Sequence, residues 1–136
     1  GRIDSPLTDH PNMHDVPGID FSSGSLGHNL SVGAGICLAS RYRGGSDRTF
    51  VLLGDGELHE GQLWEAVMAA SHYKLGNLIA IVDANGSSAN GPTSDVMNIE
   101  PATPAATRAP WPASSRSWMA FRKAARACRR RSWRGR

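Results

Sequence analysis

Asp55 and Asn85 are the residues whose types and spacing point to chemistry in this chain. They lie 30 positions apart, each just beyond an apolar run, Thr49–Leu53 for the first and Leu78–Val82 for the second. A carboxylate and an amide carbonyl are hard oxygen ligands, suited to Mg²⁺ or Ca²⁺. Asp55 is flanked by Gly54 and Gly56. Without side chains, these let backbone N–H groups come close to an anion. A divalent metal beside an anion cradle implies a metal–diphosphate ligand. A lone Gly-Asp-Gly is usually a turn; the flanking runs, the spacing and the closing Asn carry the ligand reading here.

The elements around these residues must bring them together. TFVLL and LIAIV are apolar on both faces, as parallel strands covered on both sides are. In such sheets ligands sit outside the carboxyl ends of the strands. A right-handed crossover puts both ends on one edge. Between the strands, Gly61–Tyr73 reads as a helix, with Leu63, Val67 and Ala70 on one side and Trp64 and Met68 adjacent. Its N-terminal end adds positive potential beside the glycines. Gly76 is the expected terminator.

Upstream, residues 1–23 read as loop, punctuated by Pro6, Pro11, Pro17 and Gly18. SSGSL over Ser22–Leu26 is a tight turn at Gly24. Residues 30–43 suit a helix packed closely on a sheet, with Asn29 or Ser31 as its cap. RYRGGSD is a polar turn. The fold expectation is α/β: a three-layer parallel sheet, incomplete, because one short chain supplies few helices to cover both faces.

Two stretches of this text carry a family resemblance. GDGELHEGQLWEA with KLGNLIAIVDAN, and before them PGIDFSSGSLGHNLSVGAG, resemble transketolases and, more broadly, the motif of thiamine diphosphate enzymes. The likeness runs over roughly residues 5 to 100. It implies the pyrophosphate-binding domain of a transketolase, or the N-terminal subunit of a split one. It also implies thiamine diphosphate as cofactor with Mg²⁺ (or Ca²⁺) held by Asp55, Asn85 and the Ser87 carbonyl. The cofactor would contact Gly24, Leu26, Gly54, Asp55, Gly56 and Asn85. His10 stands where the family's His-Pro motif contacts the sugar; a solvated loop histidine is an equal reading. Glu60 and Glu65 match acidic positions that link two active sites across the family's dimer interface; helix-end stabilisation explains Glu60 nearly as well. Glu57 reads as surface. His28 departs from the family's usual Gly-Gln-Gly text, and a helix-start role competes with a site role there.

The reaction implied is transfer of a two-carbon ketol unit between sugar phosphates. The resemblance places the group that activates the cofactor ring in a second, pyrimidine-binding domain or subunit that these residues do not include. The chain alone is therefore expected to be inactive, and the intact assembly to be a homodimer or heterotetramer. Gly1 falls inside recognisable domain text, so the chain reads as a fragment truncated at its front. Cys37 and Cys128 show no metal or redox spacing. There is no apolar run of membrane-spanning length. The expected setting is cytoplasmic, without membrane.

The net charge of +3 hides two halves. Residues 1–100 hold five Lys/Arg and all twelve acids, a balance of −7, and residues 101–136 hold ten Lys/Arg and no acid, a balance of +10. Residues 1–100 are read as a partial cofactor domain. Residues 101–136 are a basic Ala/Arg/Pro/Trp-rich tail, disordered or frame-shifted. Two other functions stay open. One is another thiamine diphosphate enzyme, such as the alpha-type component of a 2-oxo acid dehydrogenase. The other is a non-catalytic remnant with a basic, nucleic-acid-binding tail; nucleic acid is the less favoured partner. The frame-shift reading has a direct check. Coding DNA beyond the Asn98 codon, translated in another frame, should continue with a helix–strand pattern and longer transketolase-like text. If neither frame does, the tail is genuine.

Overall fold

The computed structural model describes residues 3–98, together with the backbone of two short strands at 107–108 and 118–121. Residues 3–27 are turns and bends, as the prolines require. Helix α1 (His28–Tyr42) leads to strand β1 (Thr49–Gly54). A 3₁₀ turn (Asp55–His59) separates β1 from helix α2 (Gly61–His72), and strand β2 (Leu78–Asp83) follows. A small hairpin, β3 (Ser87–Ser88) and β4 (Gly91–Pro92), and a one-turn helix α3 (Thr93–Val96) come next.

β1 and β2 pair in parallel, in a register that runs from Thr49 opposite Leu78 to Gly54 opposite Asp83. The α2 crossover makes this pairing possible, since parallel strands cannot be joined by a tight turn. The strands after α3 are β5 (Thr107–Arg108) and β6 (Trp118–Phe121). They extend the sheet beyond β2, β6 first and then β5, both antiparallel. The rest of the tail, which the sequence reads as disordered or frame-shifted, lies outside the described residues.

The two helices cover one face of the sheet. Leu30 of α1 and Leu63 and Ala66 of α2 pack on Val51, Leu53, Ala80 and Val82. These strand residues alternate, so they share a face. On the other face Phe50 is 62% and Leu52 59% exposed. Both strands carry apolar side chains on both faces, and among the described residues only one face receives helices. The sheet is thus the incomplete version of the expected three-layer fold.

Three local expectations need correction. Neither Asn29 nor Ser31 caps α1: the cap position is Gly27, in a left-handed turn at φ 77°, and no side chain caps it. The positive end of α2 does not adjoin the Gly-Asp-Gly turn, because the 3₁₀ segment intervenes. Gly76 does not end α2. Lys74 does, at φ 54°. The Leu75 N–H donates to the Ala70 carbonyl at 2.9 Å and the Lys74 N–H to Ser71 at 3.1 Å. This is the paired-bond ending normally given to glycine. Leu75 then packs beside Ala70, Ala34 and Cys37 in a second small cluster, and that burial offsets the cost of a lysine in this conformation. No helix among the described residues is long and apolar enough to cross a membrane.

Close packing of α1 on β1 sits at Gly33, where an added Cβ would lie 2.6 Å from a Val51 methyl. At Gly35, in the same helix, an added Cβ meets open space. Gly33→Ala should therefore cost about 1–3 kcal/mol by overpacking. Gly35→Ala should gain roughly 0.5–1 kcal/mol from helix propensity. Urea denaturation of the two variants should move the midpoint in opposite directions; equal shifts would contradict the close approach.

Candidate functional site

The register of β1 and β2 sets the site. With Gly54 level with Asp83, the residues that follow each strand emerge side by side at one edge. Asp55 is 4% exposed, and its Oδ2 accepts the Gly86 N–H at 2.6 Å. That single bond ties the two strand-end loops together. Beside it the two loops pack closely: an added Cβ on Gly56 would lie 3.3 Å from the Ser88 Cβ.

Asn85 is half-buried in the second loop. Its amide donates to Asp83 Oδ2 at 3.1 Å, and its Oδ1 accepts the Ser87 N–H at 2.8 Å. The side chain is thus locked in an Asx turn. Asp55, Asn85, Gly54, Gly56 and Ser87 are all brought to this one edge. No group of three or more His, Cys, Asp and Glu able to hold a metal occurs among the described residues. Mg²⁺ needs none, since proteins commonly supply it with one or two carboxylates and leave the remaining positions to phosphate and water. An all-oxygen set of a buried carboxylate, an amide oxygen with a second lone pair and a nearby backbone carbonyl fits a hard cation bound with diphosphate.

The Gly-Asp-Gly turn is held from within by Glu57. Its Oε1 accepts the Gly54 N–H at 3.0 Å, one half of a capping box. Its Oε2 accepts the Gly27 N–H at 2.9 Å. Glu57 is half-buried, so the surface reading of this residue is wrong. Its position three residues after Gly54 is the capping-box spacing, and that signal was available in the sequence. The Gly54 N–H is engaged by this carboxylate; within the turn, Gly56 is the glycine whose backbone faces the second loop.

The first motif lies beyond this link. Gly24 accommodates His10: an added Cβ would sit 3.1 Å from the imidazole ring. His10, Gly24, Ser25, His28 and Asn29 line one open groove of about 380 Å³. His10 is exposed on it, and His28 shares the groove. Asn29 Oδ1 is buried without a hydrogen-bond partner. Leu26 has an exposed side chain, while its carbonyl accepts from Gln62 Nε2 at 2.9 Å.

Glu60 and Glu65 stand apart from the Asp55–Asn85 edge. Glu60 is half-buried at the start of α2, beside Gly27. Glu65 is exposed, along an open groove between α1 and α2 that also contains Ser31, Gly35, Gln62 and Tyr73. His59, which has no partner readable from sequence, is joined through Nε2 to the Met97 carbonyl at 2.9 Å.

Residues 2–105 match the family model described as the transketolase thiamine diphosphate binding domain. The chain is 46% identical over 100 residues to a subunit of the apulose-4-phosphate transketolase of Phocaeicola vulgatus, a match covering 74% of this chain and 35% of that one. It shares its fold with a transketolase variant from Pichia stipitis at TM-score 0.60 and 38% identity, over 67% of this chain and 15% of that one. Against the transketolase of Campylobacter jejuni the TM-score is 0.62 at 28% identity, over 71% and 16%. The chain thus spans about a third of the length of the curated split-enzyme relatives it matches. On this match and this fold, the chain belongs to the transketolase family, and residues 2–105 are its thiamine diphosphate-binding portion.

Proposed function

We propose that this chain is the metal–diphosphate-binding part of a ketol transferase acting on sugar phosphates, and that it turns over only with a second, pyrimidine-binding domain or subunit. The observation that carries the reading is the buried Asp55 carboxylate, bonded at 2.6 Å to the N–H of Gly86, the residue after Asn85. The Phocaeicola relative is named as one subunit of its enzyme, which supports a divided assembly.

In this reading Asp55, Asn85 and the Ser87 carbonyl would hold Mg²⁺ (or Ca²⁺) for the diphosphate. The metal would offset the negative charge of the diphosphate, to which the Asp55 carboxylate adds. Gly56 gives the diphosphate close backbone approach. Bound thiamine diphosphate supplies the carbon nucleophile and electron sink for two-carbon transfer. His10, at the open end of the groove with Gly24, contacts the sugar, and Glu60 and Glu65 meet the partner half.

Titration calorimetry of the full chain with thiamine diphosphate and Mg²⁺ tests the binding half. Saturable, Mg²⁺-dependent heat is expected, and Asp55→Asn should weaken it at least about tenfold, or about 1.4 kcal/mol. No heat with the wild-type chain would leave a folded remnant that binds no cofactor. For the catalytic half, the purified chain should give no transfer from a ketose phosphate to an aldose phosphate. Turnover should appear when the complementary half of a split transketolase is added. Turnover by the chain alone would contradict the division of labour.

A further inference from the structure

Gln62 and Glu57 meet at a single peptide bond. The Leu26 carbonyl accepts from Gln62 Nε2, and the N–H of the same peptide unit, on Gly27, donates to Glu57 Oε2; both distances are 2.9 Å. The unit is therefore gripped at both of its polar ends. Both gripping side chains come from the segment just after the Gly-Asp-Gly turn. The capping role of Glu57 uses Oε1 on Gly54. It leaves Oε2 unexplained, because Gly27 lies 30 positions away in sequence.

Side-chain chemistry suits this arrangement. An ionised carboxylate accepts through both oxygens and donates through neither, so it can take two backbone N–H groups at once. An amide can offer one oxygen only. Gln62 presents the matching donor to the carbonyl end. Gly27 itself cannot gain a side chain cheaply: φ is 77°, and an added Cβ would sit 2.8 Å from the Glu60 Cβ. The loop is thus crowded on one side and clamped on the other.

We infer that Glu57 and Gln62 form a clamp on the Leu26–Gly27 peptide plane that fixes the SSGSL loop at a set distance from the Gly-Asp-Gly turn. They are positioning residues. Resting on the cofactor reading above, the clamp sets the spacing between the two loops that an extended cofactor must span. A ligand that spans both loops depends on it. A ligand that touches the turn alone does not.

The test uses ¹⁵N-labelled full chain, amide hydrogen exchange, and calorimetry with two probes, Mg²⁺–thiamine diphosphate and Mg²⁺–pyrophosphate. In Glu57→Gln the one remaining acceptor should keep the local Gly54 bond and lose the distant one. Gly27 exchange should then rise about tenfold or more, with Val51, Ala80 and Val82 unchanged, as loss of a charge-assisted bond implies. Thiamine diphosphate affinity should fall about tenfold while pyrophosphate affinity stays within about threefold. Gln62→Ala should also speed Gly27 exchange, and it provides the answer if Glu57→Gln does not fold.

Unchanged Gly27 exchange in both variants would overturn the clamp. Equal weakening of the two probes would overturn it too, since that points to damage at the turn alone. Absence of thiamine diphosphate binding by the wild-type chain would overturn the cofactor reading, and with it the spacing role. The exchange data would still report separately whether the clamp exists.

Discussion

Parallel pairing of β1 with β2 is the constraint on which the site depends. The register from Thr49–Leu78 to Gly54–Asp83 does two things at once. It puts Val51, Leu53, Ala80 and Val82 under the helices, and it delivers Asp55 and the Asn85 loop to a common edge. A slip of one residue would turn the core side chains outward and shift the two loops out of reach. The hydrophobic effect and the chemistry of the edge therefore enforce the same alignment. Burial of the core face makes the register costly to change; the Asp55–Gly86 bond reads out its correctness.

At that edge, order comes from carboxylates taking backbone donors. Asp55 takes Gly86, and Glu57 takes Gly54 and Gly27. Bonds from neutral N–H groups to charged acceptors are stronger than neutral pairs, and partial burial protects them from water. The loops need such ties because glycine-rich backbone lacks side chains to pack. Flexibility that allows close approach to an anion is thereby confined to the parts that would use it. The same logic explains why a short 3₁₀ turn follows Asp55. It brings Glu57 back toward Gly54 and aims its second oxygen at the first loop before α2 begins.

Much of this was legible in the chain's own text. The two doubly apolar runs gave the strands nearly to the residue, since their pattern has few other stable uses. The helix between them followed from its periodicity, and the pairing of Asp55 with Asn85 at one edge followed from crossover geometry. What escaped was set by contacts distant in sequence. The local capping bond of Glu57 to Gly54 was there to read from spacing, but its second partner, Gly27, is invisible without the fold. Gln62 carries no motif, and its role exists only through the Leu26 carbonyl. Gly76 was the natural choice of helix terminator, but burial of Leu75 beside Ala70 moved the left-handed residue to Lys74. The cap of α1 went to Gly27 instead of a side-chain acceptor, in a turn where the Gly27 N–H is bonded to Glu57 and Glu60 packs alongside.

The sheet face that no helix covers among the described residues has a consequence for how such a chain lives among its copies. Phe50 and Leu52 stand open on it, and β1 lies at the sheet's edge in the order β1-β2-β6-β5. Apolar surface next to unpaired strand backbone is adhesive. As concentration rises, such a surface favours contact between like faces. Whatever covers that face removes the adhesion without touching the edge where the carboxylates sit.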